Sequence, residues 1–101
     1  MQPKALLEKC GSVYFLFGEF SFSTVPYLWE QSQDALKNKA ATIVFDLKKI
    51  TQSDSSGVAL LIAWTRSFRR QSKTIYFIHL PKQMLAIIQL AGLENILPIR
   101  I

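Results

Sequence analysis

The feature that most constrains the fold is an apolar strand pattern followed closely by the start of a helix. Residues 42–47 read Thr-Ile-Val-Phe-Asp-Leu, and this run of β-branched and aromatic residues predicts a buried strand. Residues 48–53 are then predicted to form a loop. Asp54-Ser55-Ser56-Gly57 precedes the apolar run 58–64, which predicts a helix with two hydroxyls beside a carboxylate in its first turn. A strand leading into a helix in this way is the building unit of α/β proteins.

Strand and helix patterns alternate along the rest of the chain. Alternating or continuous apolar residues predict further strands at residues 5–9, 12–20 and 74–80. Ser23-Thr24 can cap a helix with Pro26 in its first turn, and the apolar face of this helix predicts that it continues to about Asn38. The helix that contains the run 58–64 is predicted to end at about Arg70.

The C-terminal third completes the pattern. A helix is predicted from Pro81 to about Ala91, with Gly92 as its C-cap, and Pro98 prevents a long regular element in residues 93–101. The order β-β-α-β-α-β-α predicts one α/β domain over residues 1–101, with a mixed, mostly parallel sheet packed with helices. A chain of 101 residues, half of them hydrophobic, has the length and composition of one compact domain.

The predicted helix after Gly57 has two unlike faces. A rotation of 100° per residue gives it a core face, flanked by Leu60 and Trp64, made of Val58, Leu61, Ile62, Thr65 and Phe68. The opposite face carries Ser56, Ala59, Ala63, Ser67 and Arg70. Small side chains make the first two turns of that face nearly flat, which would let another protein approach closely. The alternative interpretation is an ordinary exposed face made of good helix formers.

Basic residues give the chain a net charge of +5 and cluster at Arg66, Arg69, Arg70 and Lys73. One interpretation is an anionic partner such as nucleic acid or a membrane surface. The other is that they belong to a helix end and solvated loops, because cations near a helix C-terminus are favoured by its dipole. No recognised nucleic-acid motif accompanies the charge, so we expect no direct binding of nucleic acid.

Catalytic and metal-binding patterns are missing from the sequence. His79 is the only histidine and Cys10 the only cysteine, which excludes an intrachain disulfide and a cysteine metal cluster. The chain has no Gly-x-Ser-x-Gly nucleophile elbow, phosphate loop, dinucleotide fingerprint or metal-ligand spacing. We therefore expect no enzyme, with no catalytic residue, no cofactor and no metal.

Neither a membrane span nor a signal peptide is predicted. The longest apolar run, residues 58–64, is far shorter than the roughly 20 residues needed to cross a bilayer. Residues 1–5 lack the basic segment and long apolar core of a signal peptide. The sequence therefore predicts a soluble, cytoplasmic protein.

The Asp54-Ser55-Ser56-Gly57 segment has the chemistry of a switch. The first turn of a helix presents unpaired N–H groups and partial positive charge, so a phosphate on Ser55 need not unfold the helix. The phosphate would add about two negative charges beside Asp54 and repel a partner that fits the bare hydroxyl. Gly57 would let a partner or a neighbouring element come close. A plain N-cap without further function also fits these residues.

The central segment resembles the signature of STAS domains, the anti-sigma-factor antagonists and their relatives. The resemblance rests on Asp46-Leu47, six further residues, and then Asp54-Ser55-Ser56-Gly57-Val58-Ala59-Leu60-Leu61. In STAS antagonists the residue after the motif aspartate is phosphorylated, so the resemblance implies that Ser55 is the phosphoacceptor. It also implies a partner-binding surface made of Asp54, Ser55, Ser56, Gly57, Ala59, Ala63, Arg66 and Arg70.

Two branches of this family fit the chain. Gly18-Glu19-Phe20, Leu28-Trp29-Glu30 and Leu97-Pro98 resemble the small STAS subunit of ABC complexes that transport phospholipids and maintain outer-membrane lipid asymmetry in Gram-negative bacteria. That branch implies a cytoplasmic ATPase subunit as the partner and an indirect association with the inner membrane. Asp-Ser-Ser-Gly is typical of the second branch, the anti-sigma-factor antagonists, whose partner is a serine kinase that sequesters a sigma factor.

Overall fold

Eight elements alternate along the chain in the computed structural model, which describes residues 5–100. In chain order they are β1 (Ala5–Cys10), β2 (Val13–Phe20), α1 (Val25–Leu36), β3 (Thr42–Ser53), α2 (Ser55–Arg70), β4 (Thr74–Ile78), α3 (Lys82–Leu90) and β5 (Ile99–Arg100). The predicted order β-β-α-β-α-β-α is confirmed, and the short strand β5 follows it. Residues 1–4 and 101, which belong to the predicted terminal segments, lie outside the described residues. No helix between residues 5 and 100 is both long enough and apolar enough to span a bilayer.

A five-stranded sheet in the order β1-β2-β3-β4-β5 forms one layer of the fold. β1 pairs antiparallel with β2 and every later pair is parallel, so the predicted mixed, mostly parallel sheet is confirmed. Each parallel pair needs a crossover connection, and right-handed crossovers between neighbouring strands put successive helices on the same face. α2 contacts both α1 and α3, as expected for helices that form one layer.

Aromatic side chains fill the space between the sheet and the helices. Trp64 on α2 is 1% exposed and meets Phe45 of β3 edge-to-face, with ring centroids 4.7 Å apart. Phe20 of β2 and Phe77 of β4 have their ring centroids 6.0 Å and 6.4 Å from that of Trp64. The indole Nε1–H donates to Ser32 Oγ of α1 at 2.6 Å. One buried side chain thus joins α2 to three strands and to a second helix.

The predicted loop over residues 48–53 is wrong, because β3 continues to Ser53. The second half of β3 pairs with β2 alone, with Ile50 opposite Gly18 and Ser53 opposite Phe20. Ile50 and Ser53 are buried, and the exposed residues around them are polar: Lys48, Lys49, Thr51 and Gln52. Register shifts interrupt the two-residue periodicity along this pair of strands, so the polar run carries no strand pattern.

Two other predicted ends differ from the structure by two residues. α1 ends at Leu36 rather than Asn38, whose side chain instead binds backbone groups of the following turn and of the β1–β2 turn. β4 ends at Ile78 rather than Leu80, because His79 has a left-handed φ of 55° that ends the extended backbone. Both differences arise where a side chain or a backbone angle overrides the apolar pattern.

Ser32→Ala is expected to lower the free energy of unfolding by about 1–3 kcal/mol, because the buried Trp64 N–H would lose its acceptor. Urea unfolding followed by circular dichroism measures this loss. Ser67, a half-buried serine on the outer side of α2, provides the matched control. Ser67→Ala should change the free energy of unfolding by about 0.5 kcal/mol or less. Equal losses in the two variants would show that the indole bond does not stabilise the helix pair.

Candidate functional site

The start of α2 is capped by the residue before it. Asp54 has extended backbone (φ −107°, ψ −172°), and its carboxylate accepts from the Ser56 N–H at 2.8 Å. The Asp54 N–H donates to Phe20 O at 3.0 Å, which ties the cap to the end of β2. The carboxylate also lies at the partially positive end of the helix. Hydrogen bonds therefore fix the first turn of α2 against the sheet.

The predicted switch residue Ser55 is the first residue of α2, and its side chain is exposed. Ser56, the second hydroxyl of the turn, is half-buried. A phosphate on Ser55 would meet the positive end of the helix and, at the same time, the neighbouring carboxylate of Asp54. The exposed hydroxyl is therefore the one of the two that a kinase or a flat partner surface can reach more easily.

Gly57 is buried, so it lies beneath the predicted partner surface rather than on it. A Cβ built at Gly57 would lie 2.7 Å from Ser53 Oγ and 2.8 Å from Phe20 Cβ. The close approach that this glycine permits is therefore that of the ends of β2 and β3 to α2. Of the two roles predicted for Gly57, contact with a neighbouring element is the one that the geometry provides.

The outer side of α2 is small in its first half and basic in its second. Ala59 is exposed and Ala63 is half-buried, while Arg66 and Arg70 are exposed. Together with Ser55 these residues fall within an arc of about 80° on a helix about 24 Å long. Neither arginine forms an ion pair within residues 5–100. Most of the predicted partner-binding residues thus share one exposed strip.

The predicted basic cluster divides into two parts in the structure. Arg66, Arg69 and Arg70 are exposed on the second half of α2, where the last two favour the helix dipole. The Lys73 ammonium instead donates to the backbone carbonyls of Asn38 and Ala40, which closes the turn between α1 and β3. Lys73 therefore has a structural role, and the arginines form the charged end of the strip.

An exposed aromatic side chain beside the cap was missed by sequence patterns. Phe22, in the loop between β2 and α1, is 84% exposed. Thr24 Oγ1 donates to Glu19 O at 2.6 Å, which pins this loop to the end of β2. Because Phe20 O accepts from the Asp54 N–H, the Phe22 loop and the cap of α2 lie at the same end of the sheet. The signal available in the sequence was a phenylalanine between two serines at a helix start.

A pocket of about 300 Å³ lies between the Phe22 loop, the end of β3 and α3. Its lining residues are Phe20, Ser21, Gln52, Ser53, Asp54 and Gln83. Asp54 is the one ionisable group among these six, so the lining holds no acid–base pair. The hydroxyl, amide and carboxylate groups of its lining can form hydrogen bonds with a polar group that enters the pocket.

The single histidine pairs with a buried carboxylate. His79 Nδ1 lies 3.1 Å from Asp46 Oδ1, which also accepts from the Lys48 N–H at 2.9 Å. In the part of the chain that the structure describes, no hydroxyl or thiol is hydrogen-bonded to the His79 ring, so a catalytic triad is not assembled there. Nor do any three His, Cys, Asp or Glu side chains of residues 5–100 form a group that could hold a metal ion.

Comparison with known proteins identifies relatives of this sequence. The family model described as "Mlab, STAS domain" matches residues 12–98. A curated relative from Haemophilus influenzae, "Intermembrane phospholipid transport system binding protein MlaB", is 36% identical over 84 residues, which cover 80% of each chain. The match therefore extends over most of both sequences.

Two solved structures with a similar fold are anti-sigma-factor antagonists. One from Mycobacterium paratuberculosis has a TM-score of 0.75 and 21% identity, covering 94% of this chain and 82% of its own. The anti-sigma factor antagonist SpoIIAA, in its unphosphorylated form, has a TM-score of 0.72 and 19% identity, covering 95% of this chain and 85% of its own. At this level of identity the likeness concerns the fold alone.

Gly57→Ala is expected to destabilise the protein, although alanine is the better helix former by about 1 kcal/mol. The added Cβ would collide with Ser53 Oγ and Phe20 Cβ, and overpacking of this kind costs about 1–3 kcal/mol. The clash should prevail, because Phe20 Cβ cannot move without β2. Urea unfolding measures the change.

Ser56→Ala, in the same turn but half-buried, is the control for Gly57→Ala. It should change the free energy of unfolding by about 0.5 kcal/mol or less. A Gly57→Ala protein more stable than wild type would mean that α2 does not pack against the strand ends as described.

Proposed function

The chain belongs to the STAS domain family, and from this membership we propose that it is a non-catalytic subunit of a phospholipid-transporting ABC complex. It binds and regulates the cytoplasmic ATPase of that complex, which maintains outer-membrane lipid asymmetry. The observation that carries the proposal is the 36% identity, over 80% of both chains, to a binding protein of an intermembrane phospholipid transport system. A binding role also agrees with a site that has exposed small and charged residues but no assembled catalytic group.

The proposed contact with the ATPase is the exposed strip of α2 together with the Asp54-Ser55 turn. Ala59 and Ala63 have short side chains, so the backbone of a partner can come close to the middle of the strip. Phe22 stands beside the cap as an apolar anchor, and exposed aromatic side chains of this kind contribute strongly to interfaces when a partner buries them. Arg66 and Arg70 at the far end favour an acidic region on the ATPase.

Regulation of the ATPase follows from binding one of its conformations better than another. A subunit without catalytic groups shifts such an equilibrium only by its differential affinity for the two conformations. α2 is well placed for this role, since its packing through Trp64 and Gly57 holds the strip in one orientation. The chain would act in the cytoplasm, at the inner membrane, through the complex rather than by touching lipid.

An alternative function is control of a sigma factor by phosphorylation. The observation that favours it is the exposed Ser55 hydroxyl at a helix N-terminus, next to the residue that caps the helix. In this alternative a serine kinase that sequesters a sigma factor phosphorylates Ser55. The added charge beside Asp54 then releases the two proteins from each other.

Affinity purification of the tagged chain from detergent-solubilised extract of its own host distinguishes the two functions. Mass spectrometry should identify an ABC ATPase together with a membrane permease if the chain is a transporter subunit. Recovery of a serine kinase or a sigma-factor regulator, without the ATPase, would reject that proposal in favour of the alternative.

Ala59→Arg is expected to weaken binding to the purified ATPase by about 30-fold or more, the range of an interface hot spot, because a long cation would fill the low part of the strip. Phe22→Ala should weaken it in the same direction by removing the anchor. Biolayer interferometry with immobilised ATPase gives both dissociation constants, and circular dichroism checks the fold.

Ala86→Arg is the matched control, since Ala86 is an exposed alanine on α3, outside the proposed contact. It should bind the ATPase as wild type does. If Ala59→Arg folds and binds as well as Ala86→Arg, the strip of α2 is not the interface.

Ser55→Ala tests the alternative in a separate experiment. If Ser55 is a phosphoacceptor, radiolabelled ATP and the host's kinase fraction should label wild type and Ser56→Ala but not Ser55→Ala. A transporter subunit should stay unlabelled and keep its ATPase affinity in Ser55→Ala within about threefold, because the change removes one exposed hydroxyl. Label that persists in Ser55→Ala would exclude Ser55 as the acceptor.

A further inference from the structure

The face of the sheet that points away from the helices has no covering element within residues 5–100. We define the open face by its half-buried apolar residues, Leu6, Val13, Phe15, Phe17, Val44, Tyr76 and Ile78. Their neighbours along each strand, such as Leu16, Phe45 and Phe77, are buried under the helices. Parallel sheets generally have both faces covered, and their strands are therefore apolar on both sides. The open face therefore has the composition of a surface that packs against something.

Charges at the two edges of the open face have opposite signs. One row of paired residues crosses the sheet from β1 to β5 and consists of Glu8, Phe15, Asp46, Ile78 and Arg100. Glu8 and Arg100 are exposed at its ends. The Arg100 guanidinium lies 3.7 Å from the centroid of the Tyr76 ring, which holds it on the open face. A face that is acidic at one edge and basic at the other is complementary to a second copy rotated by 180°, because the acidic edge of each copy then meets the basic edge of the other.

We propose that the open face joins two copies of this chain in a symmetric dimer. A two-fold axis that runs along the strands, between the two sheets, sets β1 of one copy over β5 of the other. Glu8 then meets Arg100 of the partner subunit, and this ion pair occurs twice. Phe15 meets Ile78 of the partner subunit, and Val13 meets Tyr76 of the partner subunit. Each copy of the open face thereby covers the apolar row of the other.

The groups nearest the axis limit the strength of this dimer. Asp46 of one copy would face Asp46 of the other, and the two carboxylates would repel each other. The repulsion is limited, because Asp46 is 7% exposed, is paired with His79 and accepts from the Lys48 N–H. Lys49 is exposed beyond the end of β4, where a long side chain stays solvated. Five strands and about six residues give a footprint of roughly 24 by 20 Å. That is the low end of specific interfaces, so we expect dissociation in the micromolar range.

The dimer does not depend on the proposed function. Its contacts lie on the sheet, while the strip of α2 lies in the helix layer on the other side, so an ATPase or a kinase could bind either form. Loss of ATPase binding and loss of dimerisation are therefore separate outcomes, measured on different variants.

Sedimentation equilibrium of the purified full chain, at micromolar concentrations, should show a species of twice the 11.5 kDa chain mass. Glu8→Arg and Arg100→Glu should each weaken the dimer about tenfold. In either variant, both of the symmetry-related pairs between residues 8 and 100 would carry like charges. The double variant restores opposite charges and should return to within about threefold of wild type. Glu30→Arg, an exposed charge reversal on α1, is the control and should leave the equilibrium unchanged.

Cys10 supplies an independent readout, because it is exposed and pairs with Val13 on the open face. Its alkylation by iodoacetamide should slow over the concentrations at which the dimer forms. A chain that stays monomeric would overturn the proposal. So would a dimer whose dissociation constant is unchanged by the charge reversals and in which Cys10 is alkylated as fast as in the monomer. A monomer whose Cys10 is protected only by phosphatidylglycerol vesicles would assign the open face to a membrane surface and also overturn the dimer.

Discussion

The rest of the structure depends on the contacts that the buried indole of Trp64 makes. It packs edge-to-face on Phe45 and donates its only N–H to Ser32, so it is fixed from the sheet and from α1 at once. Turning α2 about its axis would break that hydrogen bond inside the core, where an unpaired donor is costly. The rotation of α2 is thereby set, and with it the side that faces solvent. The same contact that closes the core presents Ser55 and Ala59 outward.

Parallel strands explain why the candidate site is assembled from separate segments. β2 and β3 end side by side, and the chain leaves each of them toward a helix. The hydrogen bond from the Asp54 N–H to Phe20 O joins these two exits, and Gly57 leaves room for them beneath α2. Phe22 and Ser55 are far apart in sequence yet belong to one end of the sheet. Such a surface can make many contacts without containing a catalytic group.

Periodicity explains which parts of the fold and site were predictable. The core and outer sides of α2, and the cap at Asp54, follow from residue spacing and side-chain chemistry, which predict that Ala59, Ala63 and Arg70 lie on the outer side. The partner surface that adds Ser55 and Arg66 to them is what the family resemblance implies. The second half of β3 was not predicted, since it pairs on one side only and its exposed residues are polar. β5 is two residues long, too short for a pattern. The exposure of Phe22 and the burial of Gly57 depend on tertiary packing, which residue spacing does not encode.

Because α2 is held by Trp64 and Gly57, a change at Ser55 has little freedom to act by moving the helix. A phosphate there would be stabilised by the helix dipole by about 0.3–1 kcal/mol and repelled by the like charge of Asp54. These two effects oppose each other, so the net effect on the fold is small. Its effect on a partner is large, since a surface fitted to a neutral hydroxyl would have to bury about two negative charges. One scaffold could therefore serve either of the two proposed functions. They would differ in which protein contacts the hydroxyl and in whether a kinase modifies it, and neither requires a change in the core beneath.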